Sequence, residues 1–270
     1  MEQNVQIAFL LTITAGLATG IGSTIAFFVK DKSTKLLTFA MGFAAGVMLY
    51  VSFVEILPEA IHKLMGFYEG DEKKSTAYGV LAFFVGMLVV GIIDRLIPHN
   101  ENPHEFTLEE GEEATMSQGK NKLMRIGVLT ALALALHNFP EGIATFITAL
   151  EDPQLGMTIA VAIAIHNIPE GIAVSMPIYF ATGDRKKAFT YSFLSGVVEP
   201  FGAIVGYLLL MPYLTPVLMG LLLAGVAGVM VFISLDQLLP AAEEYGEHHL
   251  SIYGVVLGMM VMAGSLILLL

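Results

Sequence analysis

Long apolar runs separated by short polar segments fill almost the whole chain. A helix needs about 20 apolar residues to cross the hydrocarbon core of a bilayer, and eight runs approach or exceed this length. The sequence therefore predicts eight membrane-spanning helices, spans 1 to 8, at residues 5–29, 36–58, 77–97, 123–147, 155–180, 188–210, 213–239 and 251–270. The predicted fold class is an all-α integral membrane protein with one polytopic domain over residues 1–270.

Composition agrees with a membrane location and excludes several classes of protein. Hydrophobic residues make up 56% of the chain and charged residues 14%, whereas soluble domains carry about 25% charged residues. The chain has no Cys, so it can form neither a disulfide nor a thiolate metal site. Its net charge of −11 argues against a nucleic-acid partner. No basic segment precedes the first apolar run, which we expect to be a retained span and not a signal peptide.

The basic residues between the spans predict the orientation of the chain. Ten of them fall on one side of the predicted membrane: Lys30, Lys32, Lys35, Arg95, Lys120, Lys122, Arg125, Arg185, Lys186 and Lys187. Only three fall on the other side: Lys63, Lys73 and Lys74. Since cytoplasmic loops carry the excess of Lys and Arg, we expect both termini to lie outside and the acidic loop 98–122 to lie in the cytoplasm.

The sequence of the second span is repeated in the seventh. Residues 45–60 and 227–242 are identical at 8 of 16 positions. Since span 7 lies five spans after span 2, an odd number, the two related units must be inverted relative to each other in the membrane. Inverted repeats with a site near the bilayer midplane are typical of transporters.

Weaker similarities extend the repeat to the neighbouring spans. They link span 1 to span 6 and span 3 to span 8 at three pairs of positions: Gly16 with Gly196, Gly22 with Gly202, and Tyr78-Gly79-Val80 with Tyr253-Gly254-Val255. Chance similarity between helices rich in small residues is the alternative for these pairs. The matches together predict a 3+2+3 inverted repeat: repeat 1 at residues 1–97, the loop at 98–122, central helices at 123–180 and repeat 2 at 188–270.

Spans 4 and 5, the central pair, carry two nearly identical polar motifs. They are His137-Asn138-Phe139-Pro140-Glu141-Gly142 in span 4 and His166-Asn167-Ile168-Pro169-Glu170-Gly171 in span 5. Residues three and four apart share a helix face, so each motif directs an imidazole, an amide oxygen and a carboxylate to one side. Each proline also leaves one backbone carbonyl free for water or a cation. Because acids and imidazoles are costly in hydrocarbon, the motifs predict a functional site.

Glu199 in span 6 is the only other acid near the middle of a predicted span. Together with Glu141 and Glu170 it brings a charge of −3 to the midplane, where no Lys or Arg lies. Protons or metal ions must compensate this charge, and the histidines favour one or two metal ions. The nitrogen and oxygen ligands suit zinc, iron(II), manganese or cobalt(II). A lone polar residue could instead join helices by hydrogen bonds, but that role does not need three acids.

The paired motifs resemble the span 4 and span 5 signatures of the ZIP family of divalent-metal transporters. The resemblance extends over almost the whole chain and includes Ser195-Gly196 with Glu199 in span 6. It implies an eight-span fold in the inner membrane of a bacterial cell, a homodimer, and a binuclear site between spans 4, 5 and 6. By this resemblance one metal position matches His137, Glu141, His166 and Glu170. The second matches Asn138, Glu141, Asn167, Glu170 and Glu199, so that Glu141 and Glu170 would bridge the two ions.

The predicted orientation also suggests a route to and from this site. Span 2 ends at the outer face and would bring Glu55, Glu59 and His62 to an entrance funnel. The cytoplasmic ends of spans 3 and 7 and the start of span 8 would supply exit residues: Asp94, His99, Asp236, Glu243, Glu244, His248 and His249. Ordinary solvated helix ends are the alternative for each of these residues.

The leading hypothesis is uptake of zinc and related divalent cations (iron(II), manganese, cobalt and cadmium) by alternating access around the midplane site. The metal is then transported cargo, and no cofactor or catalytic residue is expected. Besides the ions, the expected partners are membrane lipid and a second copy of the chain. A divalent-cation channel that uses the same site as its filter is the first alternative. An intramembrane metalloenzyme is a weaker one, because the chain lacks a His-Glu-x-x-His helix.

Overall fold

The computed structural model describes residues 2–29, 33–68, 70–96, 112–210, 213, 215–244 and 248–269. Almost all of these residues are helical, and no strand occurs in these ranges. Eight of the helices are long and apolar enough to cross a membrane. The prediction of an all-α fold with eight membrane spans is therefore confirmed.

Five of the eight spans are single α-helices: Glu2–Phe28 (span 1), Glu72–Leu96 (span 3), Glu112–Glu151 (span 4), Pro153–Thr182 (span 5) and His248–Leu269 (span 8). The other three spans contain a π-helical turn. Span 2 consists of Thr34–Val51, the π-helical Ser52–Ile56 and Leu57–Phe67. Span 6 consists of Arg185–Val205 and the π-helical Gly206–Leu210. Span 7 consists of Pro216–Ile233, the π-helical Ser234–Leu238 and Leu239–Glu244.

Spans 2 and 4 are longer than the sequence predicts. Span 2 continues to Phe67 although Pro58 removes one amide donor, because the wider π-helical turn just before the proline accommodates this loss. Span 4 begins at Glu112, so residues 112–122 of the predicted loop 98–122 are helical. The first part of that loop, with the predicted exit residue His99, lies outside the described residues.

The spans pack as two groups of four. Spans 1, 4, 5 and 6 pack against one another and carry both polar motifs. Spans 2, 3, 7 and 8 form the second group, in which span 2 packs on span 8 and span 7 packs on span 3. Contacts between the groups come mainly from span 2 with span 5 and from span 4 with span 7. The motifs therefore lie close to the boundary between the two groups.

Spans 1 and 6 make equivalent contacts with the central pair. Gly22 in span 1 packs against the backbone carbonyl of Ile168, the residue that precedes the proline of the second motif. Gly202 in span 6 makes the same contact with Phe139 of the first motif. A side chain at either glycine would collide with that carbonyl, so the close approach of the helices requires glycine. The weak sequence match between Gly22 and Gly202 thus corresponds to an equivalent packing role.

Spans 2 and 7 share an unusual backbone feature. Their π-helical turns begin at equivalent positions of the repeat, at Ser52 and Ser234. Each of these buried serines donates its hydroxyl to the carbonyl four residues earlier, at 2.6 Å for Ser52 and 2.8 Å for Ser234. π-Helical turns are rare and frequently occur at functional sites. Their repetition extends the similarity of these two spans from sequence to backbone geometry.

The glycine contacts also fix how span 3 corresponds to span 8. Gly46 of span 2 packs on the carbonyl of Val255, and Gly228 of span 7 packs on the carbonyl of Phe83. Since Gly46 and Gly228 are equivalent, Phe83 and Val255 are equivalent as well. The Tyr-Gly-Val match in the sequence instead aligns Val255 with Val80, which lies three residues before Phe83. The sequence match is therefore almost one helical turn out of register with the packing.

Candidate metal centre

Both polar motifs lie within uninterrupted helices and are buried. Pro140 and Pro169 stand inside spans 4 and 5 without ending them. The His, Asn and Glu residues of the two motifs are all between 0 and 6% exposed. Buried polar groups are expensive unless they are paired, so the partners of these side chains decide what the site can do.

Glu141 lies next to both imidazoles. His166 Nε2 is 2.7 Å from Glu141 Oε1, and His137 Nε2 is 3.3 Å from Glu141 Oε2. His137 Nε2 is also 3.5 Å from Glu170 Oε1. Ligand atoms of His137, His166 and Glu170 all lie within 4.8 Å of one another. One ion could contact all three groups, and this mixture of nitrogen and oxygen ligands suits a divalent transition metal.

The two asparagines are oriented by backbone carbonyls of the flanking spans. Asn138 Nδ2 donates to the carbonyl of Ser195 at 3.0 Å, and Asn167 Nδ2 donates to the carbonyl of Ala15 at 2.9 Å. Ala15 and Ser195 precede the matched glycines of spans 1 and 6, so they too are equivalent in the repeat. Because each amide nitrogen is used in this way, the amide oxygens are held in fixed directions. Neither oxygen has a hydrogen-bond partner among the described residues.

Glu199 adds a third buried acid from span 6. Its Oε2 accepts a hydrogen bond from Asn167 Nδ2 at 2.8 Å, and Gly142 packs against its backbone carbonyl. The structure therefore brings all seven residues predicted on spans 4, 5 and 6 into one buried region: His137, Asn138, Glu141, His166, Asn167, Glu170 and Glu199.

This region has more acceptor atoms than donors. Within the described part of the chain, no hydrogen-bond partner is present for either carboxylate oxygen of Glu170, for Oε2 of Glu141 or for Oε1 of Glu199. Buried acceptors without partners are rare in native proteins and need an explanation. A cation bound among them would satisfy several of these atoms at once and would compensate their charge.

A cavity of about 470 Å³ reaches the site from one end of the molecule. The predicted entrance residues Glu55, Glu59 and His62 line it on the side of span 2, and Glu141 and His166 line it at its base. Oε2 of Glu55 is buried and has no hydrogen-bond partner among the described residues. The three entrance residues and the polar motifs therefore share one cavity.

Two threonines of the cavity wall were not predicted as site residues. Thr145 and Thr148 of span 4 face the cavity with their hydroxyls bonded to helix carbonyls, at 2.9 Å and 3.0 Å. Thr145 follows Glu141 by four residues, so the helical spacing of the motif face could have identified it. Thr148 lies three residues after Thr145, on the same face of the helix.

The predicted exit residues that the structure describes do not lie at this cavity. Asp94 is bonded to Arg125 at 3.1 Å, while His248 and His249 are exposed on the surface. Asp236 accepts a hydrogen bond from Gln237 Nε2 at 2.7 Å. In the repeat it is Gln237, and not Asp236, that corresponds to Glu55, as the alignment of residues 45–60 with residues 227–242 already indicates.

The cavity at the end of the molecule near Asp94 is much smaller than the cavity near Glu55. It measures only about 20 Å³ and is lined by residues of spans 3, 4 and 7: Val90, Ile93, Asp94, Leu129, Leu132, Ala133, Leu136, Phe232, Ile233 and Gln237. This volume is room for about one water molecule. Among the described residues, the large cavity reaches Glu141 and His166, whereas no motif residue lines the small cavity near Asp94.

Eight membrane spans around a buried set of acids, imidazoles and amides define a polytopic membrane protein with a candidate cation site at its centre. Comparison with known families assigns this class more narrowly. The model of the ZIP zinc transporter family matches residues 3–123 and 95–266, and the chain belongs to this family. The family consists of transporters and not of enzymes.

Similar proteins from several bacteria cover the whole length of the chain. A zinc transporter ZupT of Streptococcus mutans is 56% identical over 271 residues, which cover 99% of each chain. A zinc transporter ZupT of Nitratidesulfovibrio vulgaris is 60% identical over 274 residues, covering 99% of this chain and 98% of the relative. A zinc transporter ZupT of Oceanobacillus iheyensis is 60% identical over 267 residues, covering 98% of this chain and 99% of the relative.

Proposed function

We propose that this protein takes up zinc from outside the cell into the cytoplasm. The observation that carries the proposal is the continuity between the cavity with Glu55, Glu59 and His62 and the buried acids and imidazoles at its base. The relatives named as zinc transporters support zinc as the substrate. Iron(II), manganese, cobalt and cadmium are further candidate substrates, since the same nitrogen and oxygen ligands suit them.

The proposed site holds two ions that share Glu141 and Glu170. The first ion would bind to these carboxylates and to both imidazoles, which the 4.8 Å spacing of three of these ligands supports. The second would bind to the same carboxylates with Asn138, Asn167 and Glu199, whose unpaired oxygens support this assignment. Two divalent ions would more than offset the charge of −3 carried by the three acids.

Transport by alternating access would expose this site to each side of the membrane in turn. The structure corresponds to a state in which the site is reached from the end with Glu55. The distribution of Lys and Arg supports placing this end outside, with both termini outside and the protein in the bacterial inner membrane, as a homodimer. Because carboxylates and imidazoles must lose protons to bind a metal, uptake at a fixed zinc concentration is expected to fall when the medium is acidified.

Zinc accumulation in zinc-deficient cells or in proteoliposomes tests this proposal. A carrier gives uptake that saturates with zinc concentration, whereas a channel gives a flux proportional to concentration and membrane voltage. Zinc accumulation no greater than in vesicles without the protein would refute the proposed activity. Competition by the other four metals in the same assay would establish the range of substrates.

Removing the charge of Glu55 is expected to weaken zinc capture more than it slows transport. Its carboxylate lies in the cavity on the path to Glu141 and concentrates cations there. We expect Glu55→Gln to raise the KM for zinc by about tenfold with a smaller change in kcat. Initial uptake rates over a range of zinc concentrations give both values.

Glu59→Gln is the matched comparison for this variant. Glu59 is exposed and already paired with Lys63 at 3.0 Å, so its removal is expected to change the KM less. Equal effects of the two substitutions, or a loss confined to kcat in Glu55→Gln, would contradict the assigned role of Glu55.

A further inference from the structure

Two ion pairs join the two groups of spans at the end that lies opposite the cavity. Arg125 Nη2 of span 4 donates to Asp94 Oδ1 of span 3 at 3.1 Å and to the carbonyl of Asp94 at 3.4 Å. Lys122, one turn earlier in span 4, pairs with Glu244 at the end of span 7. Span 4 belongs to the group that carries the motifs, whereas spans 3 and 7 belong to the other group. Both ion pairs therefore cross the boundary between the groups.

The pair of Arg125 and Asp94 is largely removed from solvent. The side chains are 6% and 18% exposed, so neither charge can be solvated fully if its partner is lost. The pair of Lys122 and Glu244 is more open, at 20% and 43%, and contributes less. The pair of Arg125 and Asp94 is thus the stronger of the two ion pairs between the groups of spans.

An apolar layer lies between these ion pairs and the candidate metal centre. Leu129, Ala133 and Leu136 of span 4 meet Phe232 and Ile233 of span 7 around the cavity of about 20 Å³. Leu136 directly precedes His137 in span 4, and its side chain is half exposed whereas His137 is buried. At the cavity end, by contrast, the ion pair of Glu59 and Lys63 stays within span 2 and joins nothing across the boundary.

We propose that the Asp94–Arg125 and Lys122–Glu244 pairs form a latch that keeps this end closed while metal enters from the cavity. The inference rests on the proposed transport function. Span 4 carries both basic residues of the latch and also His137 and Glu141, about three and four helical turns after Arg125. A movement of span 4 away from spans 3 and 7 that opens the apolar layer must separate both ion pairs. The latch therefore biases the equilibrium towards the state that is open at the cavity.

The absence of cysteine from the chain makes this inference directly testable. Ala133→Cys places a thiol in the apolar layer, and Thr148→Cys places one in the wall of the large cavity. The labelling rate of each thiol by a small water-soluble maleimide, on purified protein in detergent without metal, reports how open each end is. We expect Asp94→Asn and Arg125→Gln each to raise labelling at position 133 by about tenfold and to lower it at position 148.

Several controls separate a latch from other roles of these residues. The exchanged pair Asp94→Arg with Arg125→Asp should restore slow labelling at position 133 if the pairing itself matters. Lys122→Gln should act in the same direction with a smaller effect. Lys186→Gln, which removes an exposed charge from the first turn of span 6, should leave both labelling rates unchanged. If Asp94 only bound metal on its way out, Arg125→Gln would not alter labelling.

The outcomes also distinguish the latch from the transport proposal, because labelling does not depend on metal. Unchanged labelling at position 133 in folded Asp94→Asn and Arg125→Gln proteins would overturn the latch, even if the parent protein takes up zinc. Faster labelling without zinc uptake by the parent would support the latch and overturn the transport proposal. Elution as a single species in size-exclusion chromatography establishes that a variant is folded, and the exchanged pair provides a second test if a single variant is not.

Discussion

Replacing Glu141 by glutamine is expected to abolish zinc uptake. Its carboxylate lies 2.7 Å from His166 and 3.3 Å from His137, and it also lines the cavity that leads to the site. The substitution removes a charge that would bridge two ions while keeping the size of the side chain. Groups that only support a metal ligand typically contribute 10- to 100-fold, so losing a bridging ligand should reduce uptake by more than about 100-fold. Initial rates of zinc uptake, normalised to the amount of protein in the membrane, measure the effect.

Two further variants make this experiment specific. Glu170→Gln should have the same effect, because Glu170 occupies the equivalent position in the second motif and has no hydrogen-bond partner among the described residues. Glu72→Gln removes an exposed acid from the first turn of span 3 and should leave uptake unchanged. Glu141→Gln and Glu170→Gln proteins that transport at the rate of the parent would show that the buried acids do not carry the metal.

Adding one methyl group at Gly142 is expected to damage the site without touching any ligand. A Cβ atom there would collide with the backbone carbonyl of Glu199, which cannot rotate away as a flexible side chain could. Spans 4 and 6 must then separate, and Glu199 moves away from Asn167. Overpacking of this kind costs about 1–3 kcal/mol, so Gly142→Ala should lower the thermal stability of the protein in detergent. Zinc uptake should fall with it.

Gly264→Ala provides the matched control for this variant. Gly264 also lies inside a membrane span, but no atom stands within 4 Å of the position that its Cβ would occupy. Since alanine favours helix more than glycine by about 1 kcal/mol, this variant should be as stable as the parent or slightly more stable. A Gly142→Ala protein with undiminished stability and zinc affinity would mean that the helices adapt at no cost to the site.

The sequence alone was sufficient to predict the eight spans and to single out the buried polar residues of the candidate site, for one physical reason. Hydrocarbon penalises every charge, so each acid or imidazole within an apolar run is informative. His137, Glu141 and their counterparts in span 5 could be recognised on this ground, and the structure places them together with Glu199. The helical period was enough to place each motif on one helix face.

Other features depend on packing and could not be read from single segments. Span 2 was predicted to end at residue 58, but a π-helical turn before Pro58 allows the helix to continue. The register of span 3 against span 8 is set by which carbonyl each glycine approaches, which the Tyr-Gly-Val similarity does not encode. Asp94 was predicted on the exit route by its position at a helix end, whereas its pairing with Arg125 depends on how two distant helices meet.

The contacts between glycines and carbonyls described for Gly22, Gly46, Gly202 and Gly228 have a consequence for how this protein can change over time. Lipid gives helices no hydrophobic reason to associate, so the fold depends on the shape of these backbone contacts. The side chains that face lipid, such as Leu81, Leu88 and Ile92 of span 3, contribute little to that shape. They are free to be exchanged for other apolar residues over time, whereas each glycine that meets a carbonyl must stay a glycine.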